Sequence, residues 1–191
     1  MFEPIQIRGM ELKNRIMMSA IGTHESVESE GRKSVIDKLI AYHVARAKGG
    51  NGLNTVEVTA VDKASAPFGF LFIAEDKYTN GLKKLNDVVH AAGGKTCIQL
   101  WQGGLAVVSD QKAEILVPND IPLNAEYTVQ EITFERLLDV INKFGEVAKC
   151  SVEAGFDFLE FHCAHNYLPH SMLSSGINHR SNEWGGSFDN Q

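Results

Sequence analysis

A chain of 191 residues, 43% hydrophobic and 22% charged, carries enough apolar material for one core. Its formal net charge of −6, with no basic run, argues against nucleic acid as the main partner. No apolar stretch nears the roughly 18 residues that span a bilayer, and the opening MFEPIQIRGME lacks a basic-then-apolar leader pattern. A cytoplasmic protein acting on a small molecule is the expectation, with no nucleic acid and no membrane partner.

Cys97, Cys150 and Cys163 are an odd count at wide spacings with no CxxC pair. That argues against both a disulfide framework and a structural zinc or iron–sulfur site built by this chain alone. Cys97 lies in a strand pattern and Cys150 in a helical one, so both are expected to be buried and inert.

In chain order, residues 2–15 read as a small hairpin hinged at Arg8-Gly9. Ile16–Ala20 is an apolar run ending in small residues, a first buried parallel strand. A loop over Ile21–Arg32 follows, then a helix from an N-cap at Ser34, with Leu39, Ile40, His43 and Ala47 at helical spacing and Gly49-Gly50 to end it. Leu53–Ala60 alternates as a second strand with Glu57 inside it. After a loop with Pro67 and Phe68-Gly69-Phe70, a helix over Leu82–Ala92 stops at Gly93-Gly94, and Lys95–Trp101 is the third strand.

The connection from Gln102 to Tyr127 has no periodicity, which marks a binding loop or lid. Thr128-Val129-Gln130-Glu131 reads as a capping box opening a helix that Gly155 closes. Phe156–Phe161 is then a fourth, buried strand, with Phe156, Phe158, Glu160 and His162 on one face. Its C-terminal end runs straight into His165 and Tyr167, at the sheet edge where parallel α/β folds bind ligands. Strand–helix units repeated four times require a parallel sheet with right-handed crossovers. Pattern alone allows either a doubly wound open sheet or part of a barrel.

Glu160-Phe161-His162-Cys163-Ala164-His165-Asn166-Tyr167-Leu168, followed by Asn178-His179-Arg180 and Glu183-Trp184-Gly185-Gly186-Ser187, resembles the signature of the old yellow enzyme family. Asn14-Arg15-Ile16-Met17-Met18-Ser19-Ala20 is similar to that family's first strand, and Gln99-Leu100 to its third. These are flavin-dependent NAD(P)H oxidoreductases, with NADH oxidases and 2,4-dienoyl-CoA reductases among them. The resemblance implies an α/β fold of (β/α)8 TIM-barrel type. Residues 1–191 would form a single incomplete domain, the first four βα units with an N-terminal hairpin.

It further implies FMN as cofactor, NADH or NADPH as reductant, and hydride transfer from flavin N5 to an activated alkene (enone, enoate or dienoyl thioester) or to oxygen. Ser19, Ala20, Thr23 and Gln99 would line the flavin. His162 and His165 would hold a substrate oxygen, beside Trp101. Tyr167 would protonate the alkene, a task suited to a phenol, whose class titrates near ~10. An iron–sulfur cluster would need a C-terminal extension.

Several alternatives stay open. The chain could be a barrel half that is inactive alone, needing a partner half or a homo-oligomer. His162 and His165 could be a metal pair of a hydrolase, although zinc helices use i, i+4 spacing with a glutamate between. Asn166 stands where the family has glycine, and asparagine is the best substitute where φ must be positive. Glu57 and Glu160 are expected to pair with a base such as Lys95 or Arg15.

Overall fold

The computed structural model describes residues 1–23, 26–29, 32–62, 64, 70–73, 75–107, 113–124, 126 and 128–190. The chain forms two compact bodies, one of residues 1–59, 68–100 and 144–161, the other of residues 60–67, 101–143 and 162–191.

The first body carries the sheet. β1 (Ile5–Ile7) and β2 (Met10–Leu12) pair antiparallel with Ile5 opposite Leu12, and Arg8 takes the left-handed turn conformation at φ 51°. β3 (Met17–Met18) is short and runs parallel to β6 (Leu53–Ala60), Met17 beside Leu53. The expected buried first strand is therefore corrected: Met17 is 54% exposed, because β3 pairs along one side only among the described residues.

Between them lies an antiparallel pair, β4 (Ser26–Ser29) and β5 (Arg32–Val35), where the sequence suggested a loop. This pairing also removes Ser34 as a helix cap. Its backbone belongs to β5 opposite Val27, and α1 (Asp37–Lys48) starts after Ile36 with no side-chain cap. Gly49-Gly50 ends α1 as the sequence indicated.

β7 (Leu71–Phe72) lies parallel to β5, and α2 (Asp76–Ala91) starts well before the apolar spacing alone suggested. The loop containing Pro67, Phe68 and Gly69 lies outside the described residues. β8 (Lys95–Trp101) is buried on both faces from Thr96 onward, as a strand flanked on both sides must be.

The second body holds β9 (Ile121–Pro122), inside the stretch that the sequence left without structure, paired antiparallel with β10 (Thr128–Val129) at the expected capping box. The capping box is thereby consumed, since Thr128 pairs with Pro122. α3 (Phe134–Glu153) begins instead after Thr133, whose Oγ1 accepts the Arg136 N–H at 3.2 Å.

β11 (Phe158–Phe161) runs parallel to β8, Glu160 beside Gln99, and the strand order is β11-β8-β6-β7-β5-β4 with β3 also on β6. Phe158 and Glu160 are half-buried while Leu159 and Phe161 are exposed, so the alternation holds but the strand is covered on one face only. α4 (Leu168–Leu173) follows. Among the described residues no helix is long and apolar enough to cross a membrane.

The β1–β2 hairpin plugs the N-terminal end of the strands. Leu12 meets Leu53 and Cys97 in one buried cluster, with Ile5 and Phe158 packed on it. Burial, with Glu160 nearby, pushes the Cys97 thiol up to about 12, so it stays protonated and inert. Cys150 is half-buried rather than buried.

The N-terminal end of β11 is tied down by Asp157. Its carboxylate takes the Thr96 N–H at 2.8 Å and Lys95 Nζ at 2.9 Å, and lies 2.7 Å from His90 Nε2. Burial alone would raise its pKa, but these donors hold it below the usual carboxylate range. Lys95 is thus spent on Asp157 and not on Glu57 or Glu160 as the sequence suggested.

His43 on α1 is 1% exposed, and neither ring nitrogen has a hydrogen-bond partner among the described residues. Burial, with Arg46 adding to it, lowers its pKa to about 4. An unfolded histidine titrates near ~6.5, so between that pH and about 4 the unfolded chain takes up a proton that the folded one refuses. Stability conferred by neutral His43 is complete above pH ~6.5 and falls as pH drops, by up to about 3 kcal/mol. In urea denaturation at pH 7 and pH 4.5, His43→Leu is expected to flatten that part of the profile. Parallel profiles for the two proteins would show that His43 is not its source.

Candidate functional site

In the first body the site residues gather around two carboxylates at the far end of the strands from the hairpin. Glu57 on β6 is 5% exposed and accepts both the Thr23 N–H, at 2.6 Å, and the Thr23 hydroxyl, at 2.8 Å. The expected Lys or Arg partner is replaced by two neutral donors from the segment after β3. Thr23 is thereby fixed in place, with its hydroxyl proton committed to Glu57. Ser19 is exposed and Ala20 half-buried on the same segment.

Gln99 on β8 is 7% exposed, and its Nε2 donates to Glu160 Oε1 at 2.5 Å. Glu160 therefore orients the carboxamide. The Gln99 Oε1 accepts no hydrogen bond among the described residues, leaving a nearly buried acceptor for a ligand donor. That is the group a flavin pyrimidine edge, with its imide N–H, calls for, so the donor set fits such a ring.

The second body holds the other cluster. Immediately after β11 the chain turns through Cys163 and Ala164 into His165 and Asn166, which both adopt left-handed backbone at φ 57° and 60°. Asparagine at 166 answers the positive φ that the sequence suggested. Histidine at 165 was not foreseen there, and such a conformation costs about 1–2 kcal/mol outside glycine. The turn brings three rings together. The His162 and Tyr167 centroids lie 4.6 Å apart, His162 and His165 5.2 Å, and His165 and Tyr167 5.9 Å, all edge-on. Trp101, 2% exposed, backs Tyr167 edge-on at 5.3 Å.

The segment after β8 supports this loop closely. Gln102 accepts the Leu168 N–H on its backbone oxygen at 3.3 Å, and its Oε1 takes the Gly104 N–H at 2.9 Å. Gly104 has φ 52°, and a Cβ there would run into the Leu168 backbone nitrogen. A side chain at 104 would displace the start of α4 and Tyr167 with it. Residue spacing offers no partner for this glycine, because the contact is with a residue distant along the chain.

Arg180 is 7% exposed and donates to the carbonyls of Pro118 and Ile132, while Asn178 Nδ2 reaches the carbonyls of Met172, at 2.8 Å, and Trp184, at 2.7 Å. These two side chains brace the segment after α4. At Gly185 a Cβ would sit 2.5 Å from the Arg180 carbonyl oxygen, so that glycine is a packing requirement, whereas Gly186 has open space around it and serves the turn through its φ of 83°. Among the described residues no group of three or more His, Cys, Asp or Glu is arranged to hold a metal ion.

The sequence profile of the NADH:flavin oxidoreductase / NADH oxidase family matches residues 1–191. The chain belongs to that family. It is 35% identical over its whole length to an NADPH dehydrogenase of Bacillus velezensis, covering 56% of that protein. It is 34% identical over 97% of its length to a 4,4'-dithiodibutanoate disulfide reductase of Rhodococcus erythropolis, covering 46% of it.

Among solved structures, the old yellow enzyme from Pichia sp. AKU4542 superposes with a TM-score of 0.86 at 27% identity, over 99% of this chain and 52% of that one. Morphinone reductase in complex with tetrahydroNAD has the same fold, with a TM-score of 0.84 at 23% identity. The chain spans about half the length of the curated relatives it matches. The fold class is thus that of the first half of an old yellow enzyme TIM barrel, and the cofactor of this flavin oxidoreductase family is FMN, with NADH or NADPH as reductant.

Proposed function

We propose that this chain supplies the substrate-binding and proton-donating half of an FMN-dependent NAD(P)H oxidoreductase that reduces activated alkenes. The observation that carries the reading is the packing of the His162, His165 and Tyr167 rings within 4.6–5.9 Å of one another in a single short loop. Bound FMN supplies the hydride relay from NAD(P)H. Gln99 offers its carboxamide oxygen to the flavin ring, with Glu160 fixing the amide's orientation. Ser19, Ala20 and Thr23 offer a narrow backbone to the same ring.

His162 and His165 donate to the carbonyl or carboxylate oxygen of an enone, enoate or thioester, drawing charge from the double bond. Donors of this kind are worth about 3 kcal/mol each in the transition state. Tyr167 Oη then gives its proton to the alkene carbon, and Trp101 keeps the phenol in register. Water or another acid restores that proton between turnovers.

The test is ligand affinity in the flavin-loaded protein. Para-substituted phenols mimic the oxygen of an enone, so His162→Ala is expected to weaken their binding about tenfold or more by titration calorimetry. Unchanged affinity in both His162→Ala and His165→Ala would remove the oxygen-holding pair from the reading.

A further inference from the structure

We infer that His170 is the positioning residue for the ligand-holding loop, acting through the backbone of Asn166. The inference rests on the reading of His165 as a ligand donor. Two consecutive non-glycine residues, His165 and Asn166, hold left-handed backbone, and such a turn persists only where its surroundings impose it.

The restraints come from the first turn of α4. The Asn166 N–H donates to His170 Nδ1 at 3.2 Å, and Ser171 Oγ donates to the Asn166 carbonyl oxygen at 3.2 Å. The Tyr167 N–H closes the turn on Ala164 O at 3.1 Å, and Ser171 N bonds back to Tyr167 O at 2.9 Å. Both backbone groups of Asn166 are therefore gripped by side chains four and five residues on, and only one of the two gripping side chains is an imidazole.

An imidazole nitrogen that accepts must carry its lone pair, so the His170 ring holds its proton on Nε2. Its geometry fixes the peptide between His165 and Asn166, and with it the direction of the His165 ring against Tyr167. His170 touches neither alkene nor flavin in this scheme; it sets where His165 points.

The test uses two substitutions of different chemistry. His170→Asn keeps an acceptor oxygen near the Nδ1 position, whereas His170→Phe keeps the ring shape and removes the acceptor. Hydrogen exchange at the Asn166 amide, read by NMR, is expected to speed up about tenfold or more in His170→Phe and to stay within about twofold of wild type in His170→Asn. Affinity of the flavin-loaded protein for a para-substituted phenol is expected to follow the same order, lost in Phe and rescued in Asn.

If the Phe ring disturbs α4, His170→Ala reads the same two quantities without added bulk. Unchanged Asn166 exchange in the Phe and Ala variants would overturn the inference. So would phenol affinity that is indifferent to His170 while His165→Ala lowers it. Affinity indifferent to both His170 and His165 would instead overturn the oxygen-holding reading on which the inference rests.

Discussion

Tyr167→Phe is expected to slow reduction of an activated alkene by about 10²–10⁴, while leaving reduction of bound flavin by NAD(P)H nearly unchanged. The substitution deletes one oxygen and nothing else. The ring stays, and so do its edge contacts with Trp101 at 5.3 Å and His162 at 4.6 Å, so the loop has no reason to move. Only the proton donor goes. The loss belongs to the oxidative half-reaction, because protonation of the alkene carbon occurs there and hydride delivery from NAD(P)H does not need it. Stopped-flow measurement of the two half-reactions separately decides the point. Equal losses in both would mean that the substitution acts on flavin placement, and Tyr167 would lose the proton-donor role.

The strands could be read from residue type alone where they are flanked on both sides. Leu53–Ala60 and Lys95–Trp101 keep their sequence-derived bounds because continuous burial selects uninterrupted apolar and β-branched runs. Helix starts were less legible. Ser34 and Thr128 both look like caps, yet each is taken by a β-pairing with a partner several residues away, Val27 and Pro122. A local signal cannot report that competition.

Charge partners were harder still. Lys95 meets Asp157, Glu57 meets Thr23 and Glu160 meets Gln99, choices set by register across β8 and β11 and by the segment after β3. The motif residues His162, His165 and Tyr167 were visible as a cluster along the chain. What gives the cluster its geometry, the left-handed pair at His165 and Asn166 and the His170 acceptor behind it, leaves almost no trace in residue spacing. Asparagine at 166 was its one sign.

Arg136→Met is expected to cost about 3–5 kcal/mol of stability, the range for breaking a buried ion pair from one side. Asp62 is 1% exposed and just follows β6, and the Arg136 guanidinium bonds its carboxylate together with Glu114 and Asp139. Lys143 Nζ adds a second contact to Asp62 at 3.1 Å. Burial works against the charge on Arg136, but its bonds to Glu114 and Asp62 outweigh that and raise its pKa. Removing the guanidinium leaves a buried carboxylate with a lysine that is itself shared with Asp139 at 2.9 Å.

The same cluster joins residue 62, the loop segment at Glu114 and the first turn of α3, and the Glu114 N–H also bonds the Ala64 carbonyl at 2.8 Å. Its loss therefore loosens the body that carries the His162–Tyr167 loop. The double variant Arg136→Met with Asp62→Leu separates the two contributions. It removes the stranded charge, so its stability is expected to recover well beyond additivity of the singles. Urea denaturation of the three variants measures this. A single-variant loss under about 1 kcal/mol would class the pair with exposed salt bridges and show that water reaches Asp62.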